Sequence, residues 1–230
     1  MDAAEQAIPS DAAAVRPRFR VDAVPVGWRA PVQATPPAPD GPIRGAEAVV
    51  ESHPGGVRKL RVPKAYRHPT LDSRLRRERT AAEARLIQAA RRAGVPTPLI
   101  RRVDPDSGVL VLQHVGTRDL ATAPADVDVL ATVGRHLARL HAAGIIHGDV
   151  TTRNVRIGAE QVYLIDFGLG YHSGHIEDRA MDLHILRQSL EGTTDAAAGL
   201  FDHVTDAYAT TGDQAVLERL AQVDTRGRYR

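Results

Sequence analysis

The sequence predicts an α+β fold in two lobes: a small strand-rich N-lobe carrying one long helix, and a reduced helical C-lobe. Two observations carry this prediction. Up to about Val115 the apolar stretches are short and bounded by turn residues, apart from a single long helical segment. Beyond Val115 the apolar residues recur at helical spacing, with only two short strand candidates among them. A chain of 230 residues is long enough for two small lobes sharing a cleft.

Residues 1–41 are rich in Ala and Pro, include PPAPDGP and show no sustained apolar period, so a flexible extension is expected there. The N-lobe is expected over 42–115, the C-lobe over 116–225 and a basic tail over 226–230. The N-lobe opens with a hairpin: Ala46 to Val50, the turn His53-Pro54-Gly55-Gly56, then Val57 to Val62. In the second strand, alternation puts Lys59 on the face of Val57 and Arg61, opposite Leu60 and Val62. A helix follows from about Thr70 to Ala93, closed by Gly94 and the breaker PTP. Strands are expected at Leu99 to Val103 and Val109 to Gln113, joined by the turn DPDSG. In the C-lobe, Leu130, Val133, Leu137 and Leu140 form the stripe of a core-facing helix that stops at Gly144. Short strands at Val155 to Ile157 and Val162 to Ile165 bracket Gly158. Three more helices carry Leu183/Leu186/Leu190, Leu200/Val204/Tyr208 and Val216/Leu220/Val223.

Aromatics make up 4% of the chain, so Leu, Val, Ile and Ala must build the core. There is no cysteine, which excludes disulfides, a thiolate nucleophile and Cys-ligated zinc. No apolar run approaches the ~20 residues of a membrane span and no secretory signal opens the sequence, so a soluble cytoplasmic protein with no membrane partner is expected. The net charge of +2 is too small to argue for nucleic acid by itself. Of 30 basic residues, only Lys59 and Lys64 are lysine. An ammonium is a compact point charge where a guanidinium is a bulky fork, so the two lysines mark places where arginine does not fit.

The chemistry lies in HGDVTTRN followed by YLIDFG. His147, Asp149 and Asn154 give H-x-D-x-x-x-x-N, and Asp166-Phe167-Gly168 begins seventeen residues after Asp149. Phosphoryl transfer asks a protein for positioning and charge compensation rather than covalent work. Asp149 is placed to accept the proton of an attacking hydroxyl, and Asn154 offers a neutral oxygen to magnesium. Asp166 offers a hard carboxylate oxygen to magnesium bridging the β- and γ-phosphates of ATP. Gly168 is expected to turn the chain sharply away, with Phe167 packed beneath the loop. His147 reads as a loop-bracing residue, because Asp149 already occupies the role of base. The N-lobe should then supply a strand lysine paired to a helix glutamate, to hold the α- and β-phosphates. Lys59 is that lysine. Glu78 and Glu83 both lie on the helix, and Glu83 is the better match because it shares the face of Leu86. A glycine-rich phosphate loop is poorly represented: the best candidate is Gly45-Ala46-Glu47-Ala48, so a shorter loop is expected. Asp182 comes sixteen residues past Asp166, leaving little room for a long activation loop or a peptide-docking platform.

These residues resemble one family, the small atypical serine/threonine kinase subunit of the KEOPS tRNA threonylcarbamoyl-adenosine complex, which has a protein-kinase-like fold. The resemblance rests on GAEA at 45–48, PKAYRHPTLDSRLRRERTAAEARL at 63–86, GVPTP at 94–98, HGDVTTRN, YLIDFGLGYHS at 163–173, EDRAMDLHIL at 177–186 and the terminal RGRYR. It implies that Lys59 and Glu83 form the ion pair, that Asp149 is catalytic, and that Asn154 and Asp166 hold magnesium. It implies further that Asp182 braces the catalytic loop and that Gln113 to Val115 contact adenine. The implied activity is ATP- and magnesium-dependent phosphorylation of serine or threonine, ATP hydrolysis, or both. The implied partners are the threonylcarbamoyl-transferring ATPase subunit and the other subunits of the complex. The sequence departs from the family at Arg153, where a serine is usual, and in its extension 1–41, which has no counterpart in these motifs.

Arg74, Arg76, Arg77, Arg79, Arg85, Arg91 and Arg92 make the long helix basic. They read as a solvated face or, alternatively, as a surface for tRNA phosphates. The tail, with Arg226, Arg228, Tyr229 and Arg230, is a second candidate for tRNA contact. Two rivals remain: a small-molecule phosphotransferase of the antibiotic-kinase type, and a non-catalytic nucleotide-binding scaffold. The first should carry a larger helical lobe, and the second need not keep Lys59, Asp149, Asn154 and Asp166 together.

Overall fold

The computed structural model describes residues 41–45 and 47–227. Apart from Gly41, the extension 1–41 lies outside the described residues, as do the tail residues Arg228, Tyr229 and Arg230. The described chain is a strand-rich region with one long helix, followed by a helical region. A five-stranded antiparallel sheet has the order β1-β2-β3-β5-β4, formed by β1 (Ile43–Arg44), β2 (Ala48–His53), β3 (Gly56–Arg61), β4 (Ile100–Asp104) and β5 (Val109–Leu112). The β2–β3 hairpin closes at the His53–Gly56 pair, leaving Pro54-Gly55 as the turn. β5 lies inside the sheet and reads VLVL, with all four side chains buried. That is the continuous apolar run expected of a strand covered on both faces.

Helix α1 (Pro69–Arg92) starts with Pro in its first turn, where the missing N–H has no intrahelical partner to lose. Asp72 sits near its N-terminus and Arg91 and Arg92 near its C-terminus, each sign suited to the helix dipole. The helix ends at Ala93, and Gly94 follows in the left-handed region at φ 77°. Ala84, Leu86, Ile87 and Ala90 are buried, and Glu83 lies on that inner side at 1% exposure.

The helical region contains α2 (Val127–Ala142), α3 (Ile176–Glu191), α4 (Ala197–Ala209) and α5 (Gln214–Gly227). Asp126 caps α2 by accepting a hydrogen bond from the Val129 N–H. Leu130, Val133, Leu137 and Leu140 are fully buried, as are Leu183, Leu186 and Leu190 of α3. At Gly134 α2 runs so close to α4 that an added Cβ would stand 2.2 Å from the Val204 carbonyl oxygen. Short strands before α2 and between α2 and α3 carry the site. β6 (Arg118–Asp119), β8 (Val155–Ile157) and β9 (Val162–Leu164) make one small sheet, and β7 (Ile145–Ile146) pairs with β10 (Tyr171–His172). Among the described residues no helix is long and apolar enough to cross a membrane.

Candidate active site

The ladder of β3 turns Lys59 and Arg61 inward together, and both are buried. Lys59 Nζ donates to Glu83 Oε1 and to Asp166 Oδ1, each at 2.7 Å. One ammonium therefore ties the N-lobe strand, helix α1 and the Asp166 segment together. Burial works against the charge on Lys59, but Glu83 and Asp166 outweigh it and raise its pKa. Burial likewise pushes the Asp166 carboxyl up, but the Lys59 ammonium and the Gly168 N–H hold it below the ordinary carboxylate range. Glu78, the other helix candidate, points away and pairs at the surface with Arg74 at 3.8 Å.

The second oxygen of Glu83 is also occupied. Arg61 Nη2 donates to Oε2 at 2.6 Å, so one buried carboxylate lies between two buried cations. Sequence reasoning placed Arg61 on the face of Lys59 but gave it no task. The signal was the i,i+2 spacing itself, since a buried arginine on that face needs a carboxylate within reach.

Asp149 and Asn154 meet across the loop between β7 and β8. Asn154 Nδ2 donates to the Asp149 backbone carbonyl at 2.9 Å and to Asp149 Oδ2 at 3.0 Å. With its nitrogen so committed, the side-chain oxygen of Asn154 is left as the acceptor. The Ile165 N–H donates to the Asn154 carbonyl at 2.9 Å, which sets Asn154 alongside the residue preceding Asp166. The Asn154 amide oxygen and the half-exposed Asp166 carboxylate are hard-oxygen donors of the kind that suits magnesium.

His147 is fully buried, and each ring nitrogen has a partner. Nε2 donates to the Ile165 carbonyl at 3.0 Å, and Nδ1 accepts the Asp149 N–H at 3.3 Å. Burial lowers its pKa, and its ring lies 4.5 Å from that of the buried Phe167. Asp182 of α3 accepts from the N–H groups of His147 at 2.7 Å and Gly148 at 2.8 Å. It also accepts from His141 Nε2 at 3.3 Å, and the Tyr208 hydroxyl donates to His141 Nδ1 at 2.9 Å. A hydrogen-bonded chain thus runs from α4 through α2 and α3 to the loop carrying Asp149. Gly148 has φ 78°, and an added Cβ would stand 2.5 Å from the Leu169 carbonyl oxygen. The loop closes against the segment after Asp166 only with glycine there.

The turn after β9 departs from the sequence expectation. Asp166 itself takes the left-handed conformation, at φ 63°, and Gly168 is not among the positive-φ glycines. Gly168 serves by its small size, because a Cβ there would press on Asp166 Oδ1 at 2.9 Å. A non-glycine residue in that region carries local strain, which the contacts to Lys59 and Gly168 hold in place.

The remaining candidates are less closely gathered. Gly45 is exposed just after β1, and its N–H donates to the Ala48 carbonyl at the start of β2. Gln113 pairs its backbone N–H with the Leu99 carbonyl, and its side-chain oxygen accepts the Leu99 N–H. Val115 is buried, and its carbonyl accepts from Arg156 at 3.5 Å. Arg153 is exposed. Thr152, next to it, is held by Ser189 and Thr193 of the α3 end, a contact that no sequence motif marked.

Solved structures place the fold in a class. A Rio2 kinase–ADP/Mg2+–phosphoaspartate complex from Chaetomium thermophilum superposes with a TM-score of 0.56 at 16% identity, over 84% of this chain and 71% of that one. A choline/ethanolamine kinase family protein from Mesorhizobium loti superposes with a TM-score of 0.55 at 16% identity, over 77% of this chain and 71% of that one. The fold is protein-kinase-like.

Residues 44–208 match the lipopolysaccharide kinase (Kdo/WaaP) family, and the chain belongs to that family. Among curated relatives, the "Probable bifunctional tRNA threonylcarbamoyladenosine biosynthesis protein" of Haloquadratum walsbyi is 54% identical over 98% of this chain and 43% of its own length. The protein of the same name from Methanoculleus marisnigri is 44% identical over 96% of this chain and 42% of its own. The family resemblance drawn from the motifs therefore holds. The chain spans about two fifths of the length of these relatives. The relative from Halobacterium salinarum aligns over 100% of this chain, so residues 1–41, without a counterpart in the motifs, are matched there.

Proposed function

We propose that this chain is an ATP- and magnesium-dependent phosphotransferase or ATP hydrolase that supports threonylcarbamoyl-adenosine modification of tRNA, as the kinase subunit of a KEOPS-type assembly in the cytoplasm. The observation that carries the reading is Lys59 Nζ bridging Glu83 and Asp166 at 2.7 Å each. A cation so fixed, and kept charged by two carboxylates, is suited to hold the α- and β-phosphates. The relatives' names supply the process, since identities of 44–54% extend over 96–98% of the chain.

In this reading Asp149 accepts the proton of the attacking hydroxyl or water, using the oxygen that Asn154 leaves free. Asn154, through its side-chain oxygen, and Asp166 would hold magnesium, which supplies charge compensation for the β- and γ-phosphates. Asp182 and His147 fix the loop from behind, so that Asp149 does not reorganise as charge moves. Gln113 to Val115 line the adenine side, and Gly45 lies in the short turn over the phosphates. The partner is the threonylcarbamoyl-transferring ATPase subunit.

The test is magnesium-dependent ATP turnover by the wild-type chain and by Asp166→Ala, with and without that subunit plus tRNA. Turnover that rises with the partner and vanishes in the variant supports an ATPase role in tRNA modification. Turnover indifferent to the partner favours an independent kinase, and turnover unchanged in Asp166→Ala removes the proposed site.

A further inference from the structure

Charges of alternating sign run from the surface of the N-lobe to the Asp166 segment. Arg79 of α1 donates from Nη1 to both oxygens of Glu47, each at 2.5 Å. Arg61 forks between two carboxylates, with Nη1 3.5 Å from Glu47 Oε2 and Nη2 2.6 Å from Glu83 Oε2. Lys59 continues the line from Glu83 Oε1 to Asp166 Oδ1. Cations and carboxylates alternate along it, so loss of one member leaves its neighbours with unmatched charge to share.

Glu47 brings the segment between β1 and β2 into this line. It stands just before β2, and its backbone carbonyl accepts the Val62 N–H beyond β3 at 3.2 Å. Arg79 lies one helical turn before Glu83, so the two share a face of α1. Glu47 therefore clamps α1 to the sheet one turn away from the carboxylate that holds Lys59. The line is open to water at this end: the side chains of Glu47 and Arg79 are each 39% exposed, against 1% for Glu83. An ion pair so exposed adds little to stability, and what it can do is fix a position. The Arg79 hydrogen bond is the main cause that holds the Glu47 carboxyl below the ordinary carboxylate range, so the clamp keeps its charge at neutral pH.

We propose that Glu47 is a positioning residue for nucleotide binding, which through Arg79 and Arg61 sets Glu83, and with it Lys59, at the place where the α- and β-phosphates are held. The proposal rests on the phosphotransferase reading and deepens it. Glu47 touches no phosphate itself; it fixes in advance the cation that does.

The experiment titrates the whole chain with a fluorescent ATP analogue in the presence of magnesium, and follows amide hydrogen exchange without nucleotide. It compares wild type, Glu47→Gln, Arg79→Gln, their double variant and Arg79→Lys. Arg77→Gln is the control, because Arg77 also joins α1 to the sheet region, pairing with Asp106 at 2.9 Å, but outside this line. Glu47→Gln and Arg79→Gln are each expected to weaken binding about tenfold, with urea midpoints little moved. The double variant should bind no more weakly than either single one, since both remove the same contact. Arg79→Lys should bind nearly as wild type does, because one nitrogen makes the contact to Glu47. Exchange at Val62 should quicken in Glu47→Gln and not in Arg77→Gln.

Glu47→Gln that binds as wild type does overturns the proposal, as does a double variant whose loss is the product of the single losses. Arg77→Gln weakening binding as much as Arg79→Gln overturns it too, by showing an effect of helix charge alone. In each of these cases the phosphotransferase reading stands. A wild-type chain that binds no nucleotide removes that reading, and this role of Glu47 with it.

Discussion

The buried charges around Glu83 show how much the site depends on single side chains. Glu83 is 1% exposed and Arg61 5%, so neither charge can turn to water when its partner is lost. Arg61→Met leaves Glu83 with Lys59 alone and is expected to destabilise the fold by about 3–5 kcal/mol, read from urea denaturation. Arg61→Lys keeps the charge while losing the fork, and should cost less. Asp149→Ala belongs to a different kind. Asp149 is half-buried and holds no other element in place, so activity should fall about 10²–10⁴-fold with the urea midpoint unmoved. Unchanged turnover would take Asp149 out of the mechanism. At this scale the sequence was informative where chemistry restricts residue type. Lys59, Asp149, Asn154 and Asp166 could be singled out as candidates because the side chains able to hold phosphate or offer a hard oxygen are few and stand at set spacings. Arg61 showed only as a cation on the face of Lys59, and His141 and Thr152 not at all, because their partners lie 22, 41 and 37 residues away with no motif spacing to mark them.

At the level of elements, periodicity foretold α1 to within a residue at each end and marked the apolar stripes of α2 and the three later helices, since one face of each is filled with Leu, Val or Ala. The hairpin at Pro54-Gly55 and the turn before Val109 were legible from their Gly and Pro residues. The two-residue strands β6, β7 and β10 were not. They are bridges between backbone groups brought together by the tertiary fold, and two residues are too short to show an alternating pattern. The approach of α2 to α4 was also hidden, because a glycine inside a helical pattern marks a weak spot unless the neighbour is known. That contact yields a prediction. Gly134→Ala improves helix propensity, yet its Cβ would meet backbone of α4, which cannot swing aside as a side chain can. Overpacking should win, with a net loss of about 1–3 kcal/mol in urea denaturation. A stabilised variant would show that α2 and α4 stand further apart in solution.

Across the whole molecule, buried histidines tie the C-lobe helices to the strands and loop of the site, and they make stability depend on pH. His136 of α2 donates from Nε2 to the Val162 carbonyl of β9, while its Nδ1 is buried with no partner. Burial is the main cause that lowers its pKa from 6.5 to about 4, with Arg139 and Arg135 pressing the same way against the Val162 hydrogen bond. His147, behind the Asp149 loop, is lowered too, again mainly by burial. A depressed histidine stays neutral in the folded chain while its unfolded counterpart takes up a proton below about pH 6.5. The unfolded state then binds more protons, so stability is whole above pH 6.5 and declines as the pH falls towards 4. For His136 the loss over that window is about 3 kcal/mol. His136→Leu removes the titration together with the unpartnered Nδ1, at the cost of the Val162 hydrogen bond. It should therefore be no more stable than wild type at pH 7.5 and should overtake it by pH 5. Urea midpoints of both proteins at the two pH values check this. Parallel declines would mean that His136 is protonated within the fold, and that the acid sensitivity arises elsewhere, with His147 behind the catalytic loop the first group to examine.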